Sequence, residues 1–293
     1  MSMNEDSKEL KEKIEKWVRD QGFPLEMRVR KAMLPHIYMV PSAYRDSETG
    51  KYREGADVVG LTSKSMDNPT PEVNQFRASM FMVVECKSGS KSPWVGFLNN
   101  YEESDQLYNI SMLQFLTSSR AASGIVERIV SKDFQGALVS KLGESSPFLA
   151  PTMLAYSMMD CKFRKEDQSV KQNAQNVAYN AVRQVIDSAE GVISEFDIFY
   201  SSLNRVKFIS AAANFIVTGS RLFTCELDNH GRELVKETDN IVFLESRGQG
   251  QQQRYHYVRV VTEEYFNRNI ILIVDHLKVV SEHLLQVFIK HRE

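Results

Sequence analysis

The chain has 293 residues and a formal net charge of −2, and 42% of its residues are hydrophobic while 25% are charged. These proportions are typical of a globular protein that is long enough to bury a sizeable core. The near-neutral charge gives no general support for phosphate binding, so any nucleic-acid site has to be a local patch.

Three further features limit the class of protein. The apolar run at residues 270–274 is far too short to span a bilayer, and the polar, acidic N-terminus contains no visible secretory signal. The cysteines Cys86, Cys161 and Cys225 are odd in number and widely spaced, which indicates neither a disulfide framework nor a zinc site. We therefore expect a cytoplasmic protein that does not enter a membrane.

The N-terminal part of the chain predicts two helices followed by strands. Apolar residues recur at helical spacing in residues 7–20, and residues 25–33 form a second short helical or irregular stretch. The predicted strands are 37–43, 56–61 and 78–87, separated by a turn at 47–50 and a polar loop at 63–73. The continuous apolar run at 80–84 is typical of a strand that is buried on both faces.

The remainder of the chain also alternates between helical and strand-like patterns. The predicted helices are 101–130, 169–189 and 263–291, the last being one long helix or a helix pair. The predicted strands are 153–159, then 207–218 and 222–227 as a hairpin candidate. Two more strands, 242–245 and 255–261, lie on either side of a polar loop at 247–253. No repeat or linker is visible, so we expect one elaborated α/β domain spanning 1–293, with a core at about 7–190 and an α/β extension at about 191–293.

The strand at 78–87 ends in a charged pair. Side chains alternate across a strand, so Glu85 and Lys87 point to one side while Cys86 points to the other. Charged groups at the end of a buried strand are costly unless they are paired or bind a metal. Asp57 lies in the earlier apolar strand, so the three charged groups converge if the two strands are neighbours.

Such a set matches the chemistry of phosphodiester hydrolysis. A hard cation such as Mg²⁺ or Mn²⁺ takes oxygen ligands and neutralises the charge that develops on the phosphate. Asp57 and Glu85 would supply carboxylate oxygens, and the main-chain carbonyl of Cys86 would add another. Lys87 would orient or deprotonate the attacking water, or stabilise transition-state charge.

The segments 53–60 (REGADVVG) and 82–88 (MVVECKS) resemble the PD-(D/E)xK, or restriction-endonuclease-like, nuclease superfamily. The resemblance covers residues 7–95 well and implies a mixed sheet flanked by helices. It also implies that an N-terminal helix contributes a Glu, for which Glu15 is the best match and Glu12 the second. Gln184 would be the polar residue that a later helix presents to the site.

Other interpretations remain open at this point. The pattern of an acidic residue, any residue and a lysine, seen in Glu85-Cys86-Lys87, also occurs at residues 9–11 and at Asp160-Cys161-Lys162. The triplet at 160–162 follows a strand-like run as well. A strand-end salt bridge is the purely structural alternative for Glu85 and Lys87. The candidates for nucleic-acid contact are Arg28, Arg30, Lys31 and Trp94. An ordinary solvated face is the structural alternative for the three basic residues, and a place in the core is the alternative for the tryptophan.

The sequence therefore predicts a magnesium- or manganese-dependent nuclease, with DNA as the expected partner and a defence or restriction role by analogy. A homodimer would suit the cutting of both strands. The first alternative is a catalytically silent binding or scaffold protein that keeps the fold. The second is a nuclease effector that is switched by a partner or by a ligand bound to the C-terminal half, for which a ligand-sized pocket beyond residue 190 would be the distinguishing feature.

Overall fold

A computed structural model of the chain describes residues 5–20, 23–45, 51–67, 75–88, 92–98, 154–161, 177–203, 206–247 and 254–290. The helices in these ranges are α1 (Glu5–Asp20), α2 (Phe23–Met33), α3 (Val177–Ser202) and α4 (Glu263–Lys290). The strands are β1 (Tyr38–Val40), β2 (Tyr44–Arg45), β3 (Tyr52–Arg53), β4 (Val58–Asp67), β5 (Gln75–Lys87), β6 (Trp94–Leu98), β7 (Leu154–Asp160), β8 (Val206–Thr218), β9 (Leu222–Leu227), β10 (Glu233–Thr238), β11 (Asn240–Arg247) and β12 (Arg254–Thr262).

Ten of these strands form one mixed sheet in the order β1-β4-β5-β8-β12-β11-β7-β6-β9-β10, while β2 and β3 form a separate two-stranded ribbon. The strands β1, β4 and β5 are antiparallel neighbours, whereas β5, β8 and β12 run parallel. Within the part of the chain that the structure describes, β11 pairs with β7 in parallel at Val242–Leu154 and Phe243–Ala155. The mixed α/β class expected from the sequence is confirmed.

Helices cover both faces of the central strands. One apolar core contains α2, α4 and the side chains of β5 that include Met82 and Val84. The second core contains α3 and the alternate side chains of β5, among them Phe81 and Val83. This arrangement explains the continuous apolar run at 80–84, because both sets of alternating side chains leave water. The prediction of a strand buried on both faces is confirmed.

The predicted hairpin of 207–218 with 222–227 is wrong. The first segment is β8, and both of its edges are taken by parallel strands, β5 on one side and β12 on the other. The second segment is β9, which pairs with β10 and β6 instead. A turn after an apolar strand favours a local partner, but residues 214–218 of β8 are paired with β5 on one edge and with β12 on the other, which leaves no edge there for β9. The other two predicted strands, 242–245 and 255–261, lie within β11 and β12, and these two strands are antiparallel neighbours.

The prediction of a polar loop at 63–73 is wrong for residues 63–67. Residues 63–67 continue β4, although their side chains are exposed, because they pair with the first residues of β5. The strand β10 was not expected, since its side chains are almost all exposed and give no apolar pattern. The segment 263–291 forms the single helix α4 over residues 263–290. The predicted turn at 47–50, the helix at 101–130 and all of the polar loop at 247–253 except Arg247 lie outside the described residues.

Residues beyond 190 are not peripheral to the sheet. The boundary near 190 falls within α3, and β8 pairs with β5 over thirteen residues. The segment expected as a C-terminal extension therefore supplies strands to the centre of the sheet, and α4 packs in the core beside α2. Among the described helices, none is long and apolar enough to cross a membrane.

Candidate active site

Neighbouring strands bring Asp57 and Glu85 together. Val58 of β4 is paired with Val84 of β5, so extending the antiparallel register by one residue places Asp57 opposite Glu85. The main-chain N–H of Cys86 donates a hydrogen bond to Asp57 Oδ2 at 2.6 Å, which ties the carboxylate to the end of β5. The sequence predicted that Asp57 meets Glu85 if their two strands are neighbours, and the pairing of β4 with β5 meets this condition.

A glycine lets the chain reach this position. A Cβ atom on Gly55 would lie 1.9 Å from the carbonyl oxygen of Ser42, so the backbone before Asp57 passes directly against another segment. Any side chain at this position would push the two segments apart. Gly55 therefore helps to set where Asp57 enters the sheet.

Glu85 and Lys87 share the face of β5 that is turned toward α3. Glu85 is almost fully buried at 1% exposure, and its Oε1 accepts a hydrogen bond from Lys87 Nζ. Lys87 Nζ also lies 3.4 Å from Gln184 Oε1 on α3. The second carboxylate oxygen of Glu85, Oε2, is buried and has no hydrogen-bond partner among the described residues. A buried oxygen of this kind is costly unless another group satisfies it.

The local electrostatics favour the protonated form of Glu85. Burial raises its pKa to about 7, the negative charge of Asp57 adds to this effect, and the Lys87 ammonium opposes it. Burial also raises the pKa of Asp57, against the opposing effects of the Cys86 N–H and Lys87. Two carboxyl groups that share one cation are therefore held close together at the strand ends, which is typical of functional sites.

Glu26 is a third acidic residue whose charge acts on this pair, and the sequence reasoning missed it. Burial raises the pKa of Glu26, and the charge of Asp57 raises it further while Lys87 lowers it. The charge of Glu26 in turn contributes to the raised pKa of Glu85. Glu26 lies in the first turn of α2, next to the buried Leu25. The spacing of Leu25, Val29 and Met33 was the signal that this helix packs on the sheet.

Glu15, the residue expected to supply the helical carboxylate, lies elsewhere. It is on α1, its side chain is 55% exposed, and it forms an ion pair with Lys11 at 3.7 Å. The charges that act on Glu85 come from Asp57, Lys87 and Glu26. The expectation was wrong about which of the two N-terminal helices reaches the strand ends, because amphipathic spacing alone does not show which helix is packed against the sheet.

The competing triplet at 160–162 has a structural explanation. Asp160 is buried at 5% exposure, and its Oδ1 accepts a hydrogen bond from the main-chain N–H of Val177 at 2.8 Å. Val177 is the first residue of α3, so this carboxylate satisfies one of the N–H groups that a helix start leaves open. Lys162 lies outside the described residues.

The residues expected to contact nucleic acid differ in their surroundings. Trp94 is 1% exposed and belongs to the core beneath α3, so the expectation that it stacks on a base is wrong. Arg28 donates two hydrogen bonds to the carboxylate of Glu263, at 2.5 and 2.9 Å, which neutralises it. Arg30 and Lys31 are exposed on α2, where they remain candidates for phosphate contact.

The carboxylate and carbonyl oxygens at the strand ends are the type of ligand that a hard divalent cation binds. In a strand the N–H and C=O of one residue point to the same edge, so the Cys86 carbonyl is directed to the side on which its N–H meets Asp57. The unsatisfied Glu85 Oε2 is a further oxygen. Among the described residues, however, no three His, Cys, Asp or Glu side chains are already gathered closely enough to hold a metal ion. Glu85 is instead held by Lys87, with which a bound cation would compete.

Comparisons of the chain with protein-family models, with curated proteins and with solved structures found no match.

Proposed function

We propose that the protein is a divalent-metal-dependent nuclease, with DNA as its first candidate substrate. The observation that carries the proposal is the meeting of Asp57, Glu85 and Lys87 at the ends of two paired strands, with one buried Glu85 oxygen lacking a partner among the described residues. The charge of Glu26 on α2 acts on the same carboxylates, and Gln184 contacts the lysine from α3.

The chain order of the central elements supports the same proposal. A helix (α2) precedes three antiparallel strands (β1, β4 and β5), and a second helix (α3) leads to β8, which is parallel to β5. This order is compatible with the restriction-endonuclease-like core that the sequence motif resembles. In that interpretation, Glu15 is replaced by Glu26 and the polar helix residue is Gln184.

Each residue has a definite chemical task under this proposal. Asp57, Glu85 and the Cys86 carbonyl would hold Mg²⁺ or Mn²⁺, with Glu26 as a further oxygen donor. The bound cation would neutralise charge on the phosphate and acidify a water molecule. Lys87 places an ammonium beside the carboxylates, where it can stabilise negative charge on the phosphate oxygens. Gln184 orients Lys87 through the contact of 3.4 Å between Nζ and Oε1.

The test is a cleavage assay on linear, circular and single-stranded DNA and on RNA, with Mg²⁺ and with Mn²⁺. Wild-type protein should cut at least one of these substrates, and Lys87→Ala should reduce the rate by at least about a hundredfold. The matched control is Lys64→Ala, which removes an exposed lysine from β4 of the same sheet. Equal cleavage by the wild type and Lys87→Ala would refute the assignment of Lys87.

A catalytically silent binding protein is the second candidate. The observation that favours it is the contact between Glu85 and Lys87, which already occupies one oxygen of the carboxyl group that a metal would need. The net charge of −2 and the pairing of Arg28 with Glu263 are also in accord with weak phosphate binding. Failure of every substrate to be cut with either metal would favour this candidate.

A further inference from the structure

The first helix of the chain exposes an apolar stripe. Leu10, Ile14 and Trp17 follow one another at intervals of four and three residues, which places them on one face of α1. Their side chains are 59%, 51% and 59% exposed, and every residue from Lys8 to Trp17 is exposed. The apolar face of α1 therefore lies outside both of the cores that the described residues form on the sheet.

The start of α2 adds to this exposed apolar surface. Residues 21–22 alone separate the two helices, which contact each other. The core side of α2 carries Leu25 and Val29, whereas Phe23 and Met27 are 61% and 69% exposed. Together with the stripe on α1, these two side chains present roughly 500 to 600 Å² of apolar surface to solvent. A standard protein interface buries about 800 Å² of each partner, of which about 60% is apolar, so this surface is large enough to form one.

Each flank of the stripe on α1 carries an ion pair within the helix. On one flank Lys13 Nζ lies 2.7 Å from Glu9 Oε1, and on the other flank Lys11 Nζ lies 3.7 Å from Glu15 Oε1. Each flank thus has one positive and one negative charge, four residues apart. A nucleic acid or an anionic membrane gains little from so balanced a surface, whereas a partner with the same alternation of charge fits it.

A second copy of α1 in the antiparallel orientation matches the apolar stripe. When the two helices cross at residue 12, Leu10 of one copy packs against Ile14 of the other. The reverse contact is identical, as a two-fold axis requires. An interval of four and then three residues is also the spacing at which two helices pack side by side along an apolar seam.

The same orientation matches the charges on both flanks. On one flank, Glu9 of each copy lies beside Lys13 of the other copy. On the opposite flank, Lys11 of each copy lies beside Glu15 of the other copy. Each of these lysines is thus placed between the glutamate of its own helix and that of the second copy, because reversal of a helix exchanges the two members of an ion pair.

We propose that α1 is a dimerisation helix, which pairs with α1 of a second copy of this chain in the antiparallel orientation, and that Phe23 and Met27 extend the contact. Removal of the apolar stripe from water supplies the affinity. The flanking ion pairs set the orientation, because exposed ion pairs contribute little free energy by themselves. The inference does not rest on the proposed nuclease function, since the stripe lies apart from Asp57, Glu85 and Lys87.

Sedimentation velocity over a range of protein concentrations measures this association. The wild type should sediment as a dimer, and Ile14→Lys should raise the dimer dissociation constant at least about tenfold, because it places a charge in the apolar seam. The matched control is Ile271→Lys, which makes the same change on α4 at an isoleucine that is 58% exposed, close to the 51% of Ile14. The inference is overturned if the wild type stays monomeric up to about 100 µM, or if the two variants associate equally.

Exchange of charges tests the orientation of the two helices. Glu9→Lys makes one flank wholly positive, and Lys13→Glu makes the same flank wholly negative, so each variant alone should dimerise several times more weakly than the wild type. An equimolar mixture of the two variants should regain the wild-type affinity, because antiparallel pairing brings these two flanks together. No gain on mixing would overturn the antiparallel arrangement.

Two other occupants of the stripe give different results with the same proteins. A monomeric wild type that sediments with phosphatidylserine vesicles, and an Ile14→Lys variant that does not, would assign the stripe to a membrane surface. A monomeric wild type that Ile14→Lys makes less stable in urea would assign it to another segment of the same chain. Either result overturns the inference.

Discussion

The replacement Glu85→Gln should make the stability of the protein less dependent on pH. The pKa of Glu85 is raised from its ordinary value of 4.5 to about 7, chiefly by burial and then by the charge of Asp57. The unfolded chain therefore loses this proton near pH 4.5, whereas the folded chain keeps it to about pH 7. Stability falls as pH rises through this interval, because the unfolded state binds fewer protons there.

The size of the effect follows from the difference between the two pKa values. One pKa unit corresponds to about 1.4 kcal/mol, so the ionised Glu85 should cost the folded protein about 3 kcal/mol at pH 8.5. Glutamine has nearly the same shape and no charge to lose. Part of this cost, a little under ~1 kcal/mol, is already present at pH 5. The free energy of unfolding of Glu85→Gln should therefore rise by about 2 to 3 kcal/mol relative to the wild type between pH 5 and pH 8.5.

Urea unfolding at pH 5 and pH 8.5 without divalent metal measures this difference. The control is Glu282→Gln, which removes a carboxylate from an exposed position of α4. Its stability relative to the wild type should not change between the two pH values. A constant difference between Glu85→Gln and the wild type across this range would refute the idea that burial of the Glu85 charge sets its titration.

Three further predictions concern the metal, the ion pair and the core. Saturating Mg²⁺ at about 100 times its dissociation constant should stabilise the wild type by about 2.7 kcal/mol above pH 7, and Asp57→Ala should abolish the increase in the melting temperature; an undiminished increase would contradict the assigned ligand. Arg28→Ala, Glu263→Ala and the double variant should weaken Mg²⁺ binding to the same extent, because one ion pair holds α2 in place; additive losses would show that the two residues act separately. Trp94→Ala should cost about 3–5 kcal/mol in urea unfolding, since the ring is buried in the core, whereas a loss confined to nucleic-acid affinity would contradict this role.

Patterns between near neighbours in the chain predicted the central part of the site. The apolar run before Glu85 indicated a buried strand, and the alternation of side chains placed Glu85 and Lys87 on one face. The convergence with Asp57 needed one further condition, which the register of β4 and β5 meets. These features follow from a periodicity of two residues, which is a local property of the backbone and is legible without any other part of the fold.

Tertiary structure decided the features that depend on which elements pack together. Glu15 and Glu26 both lie on short helices near the N-terminus, but only α2 has its apolar side chains in the core beside α4. Likewise, β8 pairs with β5 and β12 rather than with the adjacent β9, and Asp160 binds the start of α3. The sequence by itself determined the face of a strand on which each charge lies. Only packing between distant segments determined which helix, which cap and which strand meets that face, because those contacts depend on the total apolar surface buried and not on local spacing.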